Sequence, residues 1–593
     1  MRSQEWVFSE TAGKGGAAEL ANALARETGL GRLAATICLN RGITSASAVE
    51  SFLNPRLDAL THPFRILGLK EAAAGLLRGQ TASSPERIRV FTDYDVDGTT
   101  GAALLTWFFR ELRFVFDVVQ PDRFRDGYGL NVRAVEDAHR DGVHWLITVD
   151  CGVTSFDAAK RAEELGIQLI IVDHHQIDPE RGVPPAFAVV DPQQASDESG
   201  LKQLCGCALA FYLCMGIRIL GRDTGFFTSR SIPEPHLKGL LDLVVIATAA
   251  DMVPLIGDNR ILVKHGLDVL RNTQKPGLKE LMKVAGIEVK TVSPSNLGFG
   301  LGPRINASGR MGSAETAYRV LTTQDPDEGR RLALELESVN AERAELQNRI
   351  WDEVRLRVEH GIERGKFSHA VVVADPGWHE GVVGIVASKV TEHFRKPAVI
   401  LSIRAEEGFA KGSVRSYGGC NVLEALHRSK EVLLGYGGHK FAAGLSLKEE
   451  QVESFAESFN QRVAELIPEE RKDRIRIEAS CELEELDLKS LEEIERLAPF
   501  GPGHPEPVFA VKARVEQQSI LKGRHVKVKL GSVRVRGFEG IWFNAAERLD
   551  DTLLMEKTAQ NGNLCEFAGI PEINRFMGRK NPSLRIKSAR GVE

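Results

Sequence analysis

Eight titratable side chains stand where apolar runs end, and their types suit one chemistry. "VFTDYDVDGTTG" places Asp93, Asp95 and Asp97 after "RIRVF"; "LITVDCG" reaches Asp150; "QLIIVDHHQ" reaches Asp173, His174 and His175; the run "LLDLVVIATAA" is followed by Asp251. One acid after one strand is ordinarily a helix N-cap. Four strand ends, all acidic and one with two imidazoles, go beyond capping. If the chain is still extended, Asp93 and Asp95 point the same way, and two carboxylates aimed at one spot repel each other unless a cation lies between them. Oxygen-rich ligation with a nitrogen donor suits Mn²⁺ or Mg²⁺, and the lack of clustered thiolates argues against a structural zinc. Two such ions about 3.5–4 Å apart activate water and stabilise an in-line displacement, so the chemistry suggested is hydrolysis of a phosphate ester.

The elements that must position these groups follow from periodicity. Residues 1–80 carry helical apolar spacing, as in "GGAAELANALARETGL" and "EAAAGLLRG", and form an expected helical N-terminal segment. From Arg87 short apolar runs ("RIRVF", "FVFDVV", "HWLITV", "QLIIV", "FAVV") alternate with helical patterns such as "GAALLTWFFREL". That alternation predicts an α/β fold with a doubly wound, mostly parallel sheet over 81–323, whose functional crevice lies beyond the carboxyl ends of the strands. Over 324–366 a charged segment keeps Leu332, Leu336, Val339, Leu346, Ile350 and Val354 near one helical face; it reads as a surface helix or as a strut between domains. A second, smaller α/β domain is expected over 367–467, from "SHAVVVAD" through "GVVGIVASKVTEHF" to "PAVILSI" and beyond. After the Pro- and Gly-rich "LAPFGPGHPEPVFA", alternating runs predict a β-barrel of the oligonucleotide-binding type over 468–593. There Lys512, Arg514, Lys522, Arg524, Lys527, Lys529, Arg534 and Arg536 face a single acid, Glu516, which reads as a solvated strand face or a nucleic-acid track.

At 593 residues, with 43% apolar and 26% charged side chains, the chain is long enough for several folded domains. The formal charge of −5 excludes a uniformly basic coat but not a local positive track. The N-terminus has no apolar signal region and no apolar run is long enough to span a bilayer, so a cytoplasmic location without membrane contact is expected. The eight cysteines are scattered and read as reduced and mostly buried.

"DYDVDG", "VDCG", "VDHH" and "ATAADMVPL", in that order, resemble the successive motifs of the DHH phosphoesterase superfamily. The later "GPRINASGRMG", "GWHEGVVGIVASKV", "GSVRSYGG" and "GGHKFAAGLSL" resemble its RecJ branch of single-strand-specific exonucleases with their DHH-associated domain, and the likeness runs over roughly residues 60–590. Any one of these motifs is weak; the ordered set is specific. The resemblance implies that Asp93, Asp95, Asp150, His174 and Asp251 ligate two divalent cations, Mn²⁺ or Mg²⁺, with Asp150 as the bridge. It implies that Asp173 orients the first histidine, His174, and that His175 contacts the scissile phosphate or helps protonate the leaving oxygen. Some relatives carry a histidine two residues before the first motif acid, where this chain has Phe91, so one ion is expected to bind more weakly than the other.

For the strand, the resemblance implies that Arg123, Arg304 and Arg310 line its path and that Ser413, Arg415, Gly438 and His439 form the pocket for a terminal 5′ phosphate. Tyr128 and Phe124 are open to two readings, stacking on bases or packing within their loop. The expected activity is 5′-to-3′ exonucleolytic release of mononucleotides from single-stranded DNA in recombination and repair, in a cleft between the α/β domains too narrow for a duplex. The expected partners are single-stranded DNA and a helicase or single-strand-binding protein, and the expected state is a monomer. Two alternatives are a nanoRNase or nucleoside-bisphosphate phosphatase, whose relatives lack the C-terminal barrel, and an inactive replication scaffold, which would be expected to have lost ligand acids.

Overall fold

A computed structural model describes residues 5–9, 17–81, 84–467, 474–546, 564–576 and 578–591. The first four residues, Gly15 and Gly16 of the first helical pattern, and the expected domain boundary at 468 lie outside the described residues. The chain divides into two compact units, one of residues 62–251 and 266–471, the other of residues 1–61, 252–265 and 472–593.

The N-terminal segment is not wholly helical. It opens on strand β1 (Glu5–Phe8), followed by helices α1 (Ala17–Thr28), α2 (Arg32–Asn40) and α3 (Ala46–Leu53). Helix α3 starts because the Ser45 hydroxyl accepts the Ala48 N–H. None of these elements builds a core of its own; their apolar faces join the C-terminal barrel described below.

The larger unit begins with α4 (Leu69–Thr81) and then alternates: β2 (Ile88–Thr92), α5 (Val96–Glu111), β3 (Phe116–Val119), α6 (Val132–Arg140), β4 (Trp145–Val149), α7 (Phe156–Glu164), β5 (Gln168–Val172), β6 (Ala188–Val190) and α8 (Gly206–Asp223). The five strands form one parallel sheet in the order β3-β2-β4-β5-β6. β2 and β4 are buried along their whole length, as a sheet covered on both faces requires. The order reverses beside β2, so the crevice forms at the carboxyl ends of β2 and β4.

The run "LLDLVVIATAA" is helix α9 (Leu241–Ala250), not a strand. Its apolar residues face protein on every side, so no amphipathic stripe separates helix from buried strand in the sequence. Asp251 is therefore the C-cap of a helix.

Helix α10 (Gly302–Met311) precedes α11 (Pro326–Glu363), a 38-residue helix capped by Asp325, whose carboxylate accepts the Asp327 N–H. Leu332 and Leu336 are buried in its first half; Ile350, Trp351, Val354 and Val358 in its second half share a core with β7 (Val371–Asp375), α12 (Glu380–Phe394) and β8 (Ala398–Arg404). Burying each aliphatic side chain contributes about 1.5–3 kcal/mol, so α11 is a strut packed along one face towards each end, while the rest of its surface is exposed or half-buried. The second sheet is completed by β9 (Phe409–Arg415), β10 (Gly435–His439) and β11 (Ala442–Lys448), in the order β10-β11-β9-β8-β7, and is backed by α13 (Val452–Leu466).

In the other unit, β12 (Arg474–Ile477) pairs in parallel with β1. After β13 (Ala479–Glu482) and α14 (Leu488–Arg496) come β14 (Phe509–Leu521), β15 (His525–Gly531), β16 (Phe538–Trp542), β17 (Cys565–Phe576) and β18 (Arg579–Gly591). β14 pairs with β17 through Phe509–Ala513 and with β15 from Arg514 onward, and a bulge between Val515 and Gln517 turns the corner. With β15–β16, β16–β18 and β18–β17 pairs the sheet closes into a five-stranded barrel. Leu24, Leu33, Ile37 and Val49 of the N-terminal helices share its core with Phe509, Val511 and Phe567. Among the described residues no helix is long and apolar enough to cross a membrane.

Candidate metal centre

The acids meet at the ends of β2, β4 and β5 and of helix α9. Asp95 caps α5, its Oδ1 accepting the Asp97 N–H at 2.8 Å and the Gly98 N–H at 3.2 Å. Capping thus uses one Asp95 oxygen and leaves the other. Gly98 is dictated by proximity, since a Cβ there would lie 2.4 Å from the Asp93 carbonyl oxygen. Asp150 follows β4 at φ +62°, a left-handed conformation uncommon outside glycine and typical of strained functional positions. Its neighbour Gly206 leaves no room for a side chain either: a Cβ would stand 2.8 Å from that of Asp150.

His174 Nε2 is the centre of this arrangement, 3.1 Å from Asp150 Oδ1, 3.7 Å from Asp97 Oδ2 and 3.9 Å from Asp251 Oδ2. Oxygens of Asp93, Asp95 and Asp150 lie within 4.8 Å of one another, and the donor atoms of Asp97, His174 and Asp251 make a second group of the same size. All five residues expected around the ions are therefore brought together. Asp97 joins them; it stands in the "DYDVDG" motif but outside the ligand set that the resemblance implies. Its oxygens also accept the Gly206 and Cys207 N–H groups at the start of α8, a contact that no local pattern announces.

Burial pushes the Asp93 carboxyl up to about 8, helped by Asp95, and Asp251 to about 8, helped by Asp97 and Asp95. Asp97 is raised by burial against the counteracting His174, and Asp150 is driven well up by burial and by the four surrounding acids. Asp93 Oδ1 is buried and accepts no hydrogen bond. Crowded carboxylates with one orphaned oxygen and one imidazole are what hard divalent cations satisfy, and the donor set fits Mn²⁺ or Mg²⁺.

Asp173 differs from expectation. Its Oδ1 accepts from His175 Nδ1 at 2.7 Å, and from the backbone N–H groups of His174 and His175, while Oδ2 accepts the Val153 N–H. It orients the second histidine and not the first, because the His174 ring turns away toward Asp150. Burial works against the charged imidazole, but the hydrogen bond and charge of Asp173 raise His175 to about 9. The Tyr128 hydroxyl lies 3.2 Å from His175 Nε2 and 3.3 Å from the Asp150 carbonyl oxygen. One further strand-end acid escaped the sequence reading: Asp191 follows β6, fully buried, and burial takes it to about 8.

Positive charge rims the acids. Burial and the neighbouring guanidinium of Arg123, with those of Arg343 and Arg415, press Arg310 down to about 10. Arg123 lies over the Tyr94 ring at 5.1 Å, and Arg310 donates to the Gly381 carbonyl oxygen at 3.3 Å. Among the described residues Arg123, Arg310 and Arg415 have no acidic partner within ion-pair distance, an imbalance that an anion would relieve. Ser413 and Arg415 line the same spot, both next to Gly384 of α12, while burial, Arg415 and His175 lower the His439 pKa. Gly438 precedes His439 at φ +142°, where a Cβ would lie 2.4 Å from the Ala442 carbonyl oxygen. Phe124 packs edge-on against His379 at the start of α12, a contact outside its own loop. Arg304 differs from these arginines: its guanidinium is held by Glu337 of α11 and by the Gly300 carbonyl oxygen, so it braces α10 against the strut. On the barrel, Lys527 pairs with Glu539 and Glu516 accepts the Gly537 N–H, while Lys512, Arg514, Lys522, Arg524, Lys529, Arg534 and Arg536 are exposed.

Three family models match the chain: the DHH family N-terminal domain over residues 87–248, the DHHA1 domain over 366–465 and the RecJ OB domain over 477–588. The single-stranded-DNA-specific exonuclease RecJ of Escherichia coli strain K12 is 35% identical over 558 residues, which cover 92% of this chain and 93% of that protein. This chain belongs to the RecJ family. The RecJ of Bacillus subtilis strain 168 is also 35% identical, over 94% of this chain and 68% of its own length. RecJ from Thermus thermophilus, in its crystal structure in complex with Mn²⁺, superposes with a TM-score of 0.78 at 27% identity, covering 97% of this chain and 78% of that one. The crystal structure of the same RecJ in complex with Mg²⁺ gives a TM-score of 0.73 at 26% identity.

Proposed function

We propose that this RecJ-family chain hydrolyses single-stranded DNA from its 5′ end with two divalent cations, Mn²⁺ or Mg²⁺, releasing mononucleotides in recombination and repair. The observation that carries the reading is the meeting of Asp93, Asp95, Asp97, Asp150, His174 and Asp251 beside Arg123 and Arg310, which among the described residues have no acidic partner within ion-pair distance. Asp93, Asp95 and Asp150 would hold one ion, and Asp97, Asp150, His174 and Asp251 the other, with Asp150 shared. When bound, such ions act as Lewis acids on the phosphoryl group and make water a better nucleophile.

The chain's own groups do the remaining work. Asp173 holds Nδ1 of His175, so Nε2 is the atom presented to the leaving 3′ oxygen. Arg123 and Arg310 neutralise backbone phosphates near the scissile bond, and Arg415, Ser413, Gly438 and His439 take the terminal 5′ phosphate. Tyr128 offers a half-exposed ring to a base. The barrel's exposed cations supply a second basic surface for the strand. We place the protein in the cytoplasm as a monomer working with a helicase or single-strand-binding protein. The deciding experiment incubates 5′-labelled and 3′-labelled single strands with Mn²⁺. The 5′ label should leave first as mononucleotide, and Asp150→Ala should abolish release while largely preserving binding; first release of the 3′ label would reverse the assigned polarity.

A further inference from the structure

The β10–β11 hairpin turns through His439, Lys440, Phe441 and Ala442, and it carries an aromatic ring that packing does not explain. Phe441 is 57% exposed, although a large apolar side chain is normally covered when the fold can cover it. Its backbone is not loose. The Phe441 carbonyl oxygen accepts the Ser416 N–H at 2.9 Å, the Lys440 carbonyl oxygen accepts the Val422 N–H at 3.1 Å, and the Phe441 N–H donates to His439 Nδ1 at 3.2 Å. The turn is thus tied to both flanking segments while the ring stays in solvent.

The same bonds place the ring beside the anion pocket. His439 and Arg415 both pair with Ala442, from opposite sides, so they stand in one row across the sheet with Phe441 next in the chain. The His439 and Phe441 ring centroids are 6.3 Å apart at an interplanar angle of 67°, and the Lys440 ammonium lies 5.6 Å from the Phe441 centroid. Because Nδ1 of His439 accepts a backbone N–H, the proton of the neutral imidazole sits on Nε2, which makes that atom a donor for an oxyanion. An anion held by Arg415 and His439 therefore has the exposed Phe441 ring, on a hydrogen-bonded turn, as its neighbour.

We propose that Phe441 is the stacking platform for the base of the strand's 5′-terminal nucleotide, so that the hairpin grips that nucleotide by phosphate and base together. The inference rests on the assignment of the Arg415–His439 pocket to the terminal phosphate. Every base has a π face, so the contact tolerates any sequence, but it distinguishes a terminal nucleotide that has a base from one that has none.

The test uses the full-length protein in chelating buffer, where nothing turns over, and measures equilibrium binding of 5′-phosphorylated single strands that differ only in an intact or an abasic terminal residue. Wild type should prefer the intact strand by roughly 5- to 100-fold, the range expected for one base–aromatic stack. Phe441→Ala should erase the preference by weakening only the intact strand, and Phe441→Trp should restore it. A Phe441→Ala protein that keeps the preference, or that loses affinity equally for both strands, overturns the proposal. A 5′-hydroxyl strand separates the two layers: if wild type binds it as well as the phosphorylated strand, the pocket assignment fails first, whatever Phe441 does.

Discussion

Replacing Asp150 with Asn should make the ion-free protein more stable and the ion-loaded protein less stable. Oxygens of Asp93, Asp95 and Asp150 lie within 4.8 Å of one another. At an effective dielectric of about 20, each ionised pair at that separation repels by ~3.5 kcal/mol, and Asp150 takes part in two such pairs. The carboxyls escape most of this by holding protons, which is why burial and mutual repulsion raise Asp93 and Asp251 to about 8 and drive Asp97 and Asp150 upward. The sign follows. Each folded-state value lies above the unfolded carboxyl value near 4, so the native state binds more protons, and the ion-free fold loses stability as pH rises from about 4 through about 8. Asparagine cannot ionise, so at pH 8 it should recover about 2–3 kcal/mol, roughly 2–4 °C in melting temperature for a unit of this size. Wild type gains ~2.7 kcal/mol from an ion at a hundred times its Kd, and the variant should lose that gain. The assay is thermal melting of both proteins at pH 5 and pH 8, in EDTA and in Mn²⁺. Asp150→Asn should melt higher than wild type in EDTA at pH 8, lower in Mn²⁺, and nearly together with it in EDTA at pH 5. A variant that melts lower in EDTA at pH 8, or that gains as much from Mn²⁺ as wild type does, would refute the account of a cluster held under charge repulsion for its ions.

Arg304→Gln should lower the melting point, by an amount equivalent to about 1–3 kcal/mol, and leave KM for single strands unchanged, because its partners are Glu337 and a backbone carbonyl oxygen; a raised KM with unchanged stability would return Arg304 to the substrate path. Arg310→Ala should weaken binding of every sequence alike and reduce the slope of log affinity against log salt by about 1, and an unchanged slope would remove it from the phosphate contacts. Calorimetric titration with Mn²⁺ should resolve two unequal sites, since Phe91 lies buried in an apolar core where some relatives have a histidine; two tight sites of equal affinity would dismiss that asymmetry.

The α/β alternation, the barrel strands and the run of acids are legible from the order of residues alone, because these are local properties. Strand runs announce themselves by apolar composition and period, and the residue after a strand is at its end wherever that strand sits in the sheet. The ordered motifs then pointed to the family. Other features depend on which distant segments touch, and they emerge only in the folded chain. β1 pairs with β12 across 469 positions, Glu5 to Arg474, and the N-terminal helices bury their apolar faces in a barrel more than 400 residues away in sequence, as the Gly31–Glu493 hydrogen bond across 462 positions illustrates. "LLDLVVIATAA" is a helix because it is enclosed on all sides, and enclosure removes the polar stripe that marks a helix in sequence. Side-chain direction was equally out of reach: Asp173 reaches His175 instead of His174, Asp97 braces α8 while facing His174, and Arg304 turns to the strut while Arg310 stays on the rim. Residue types fix which bonds a side chain can make, but rotamer and backbone placement fix which it does make, and both are set by the packing of segments far apart in the chain.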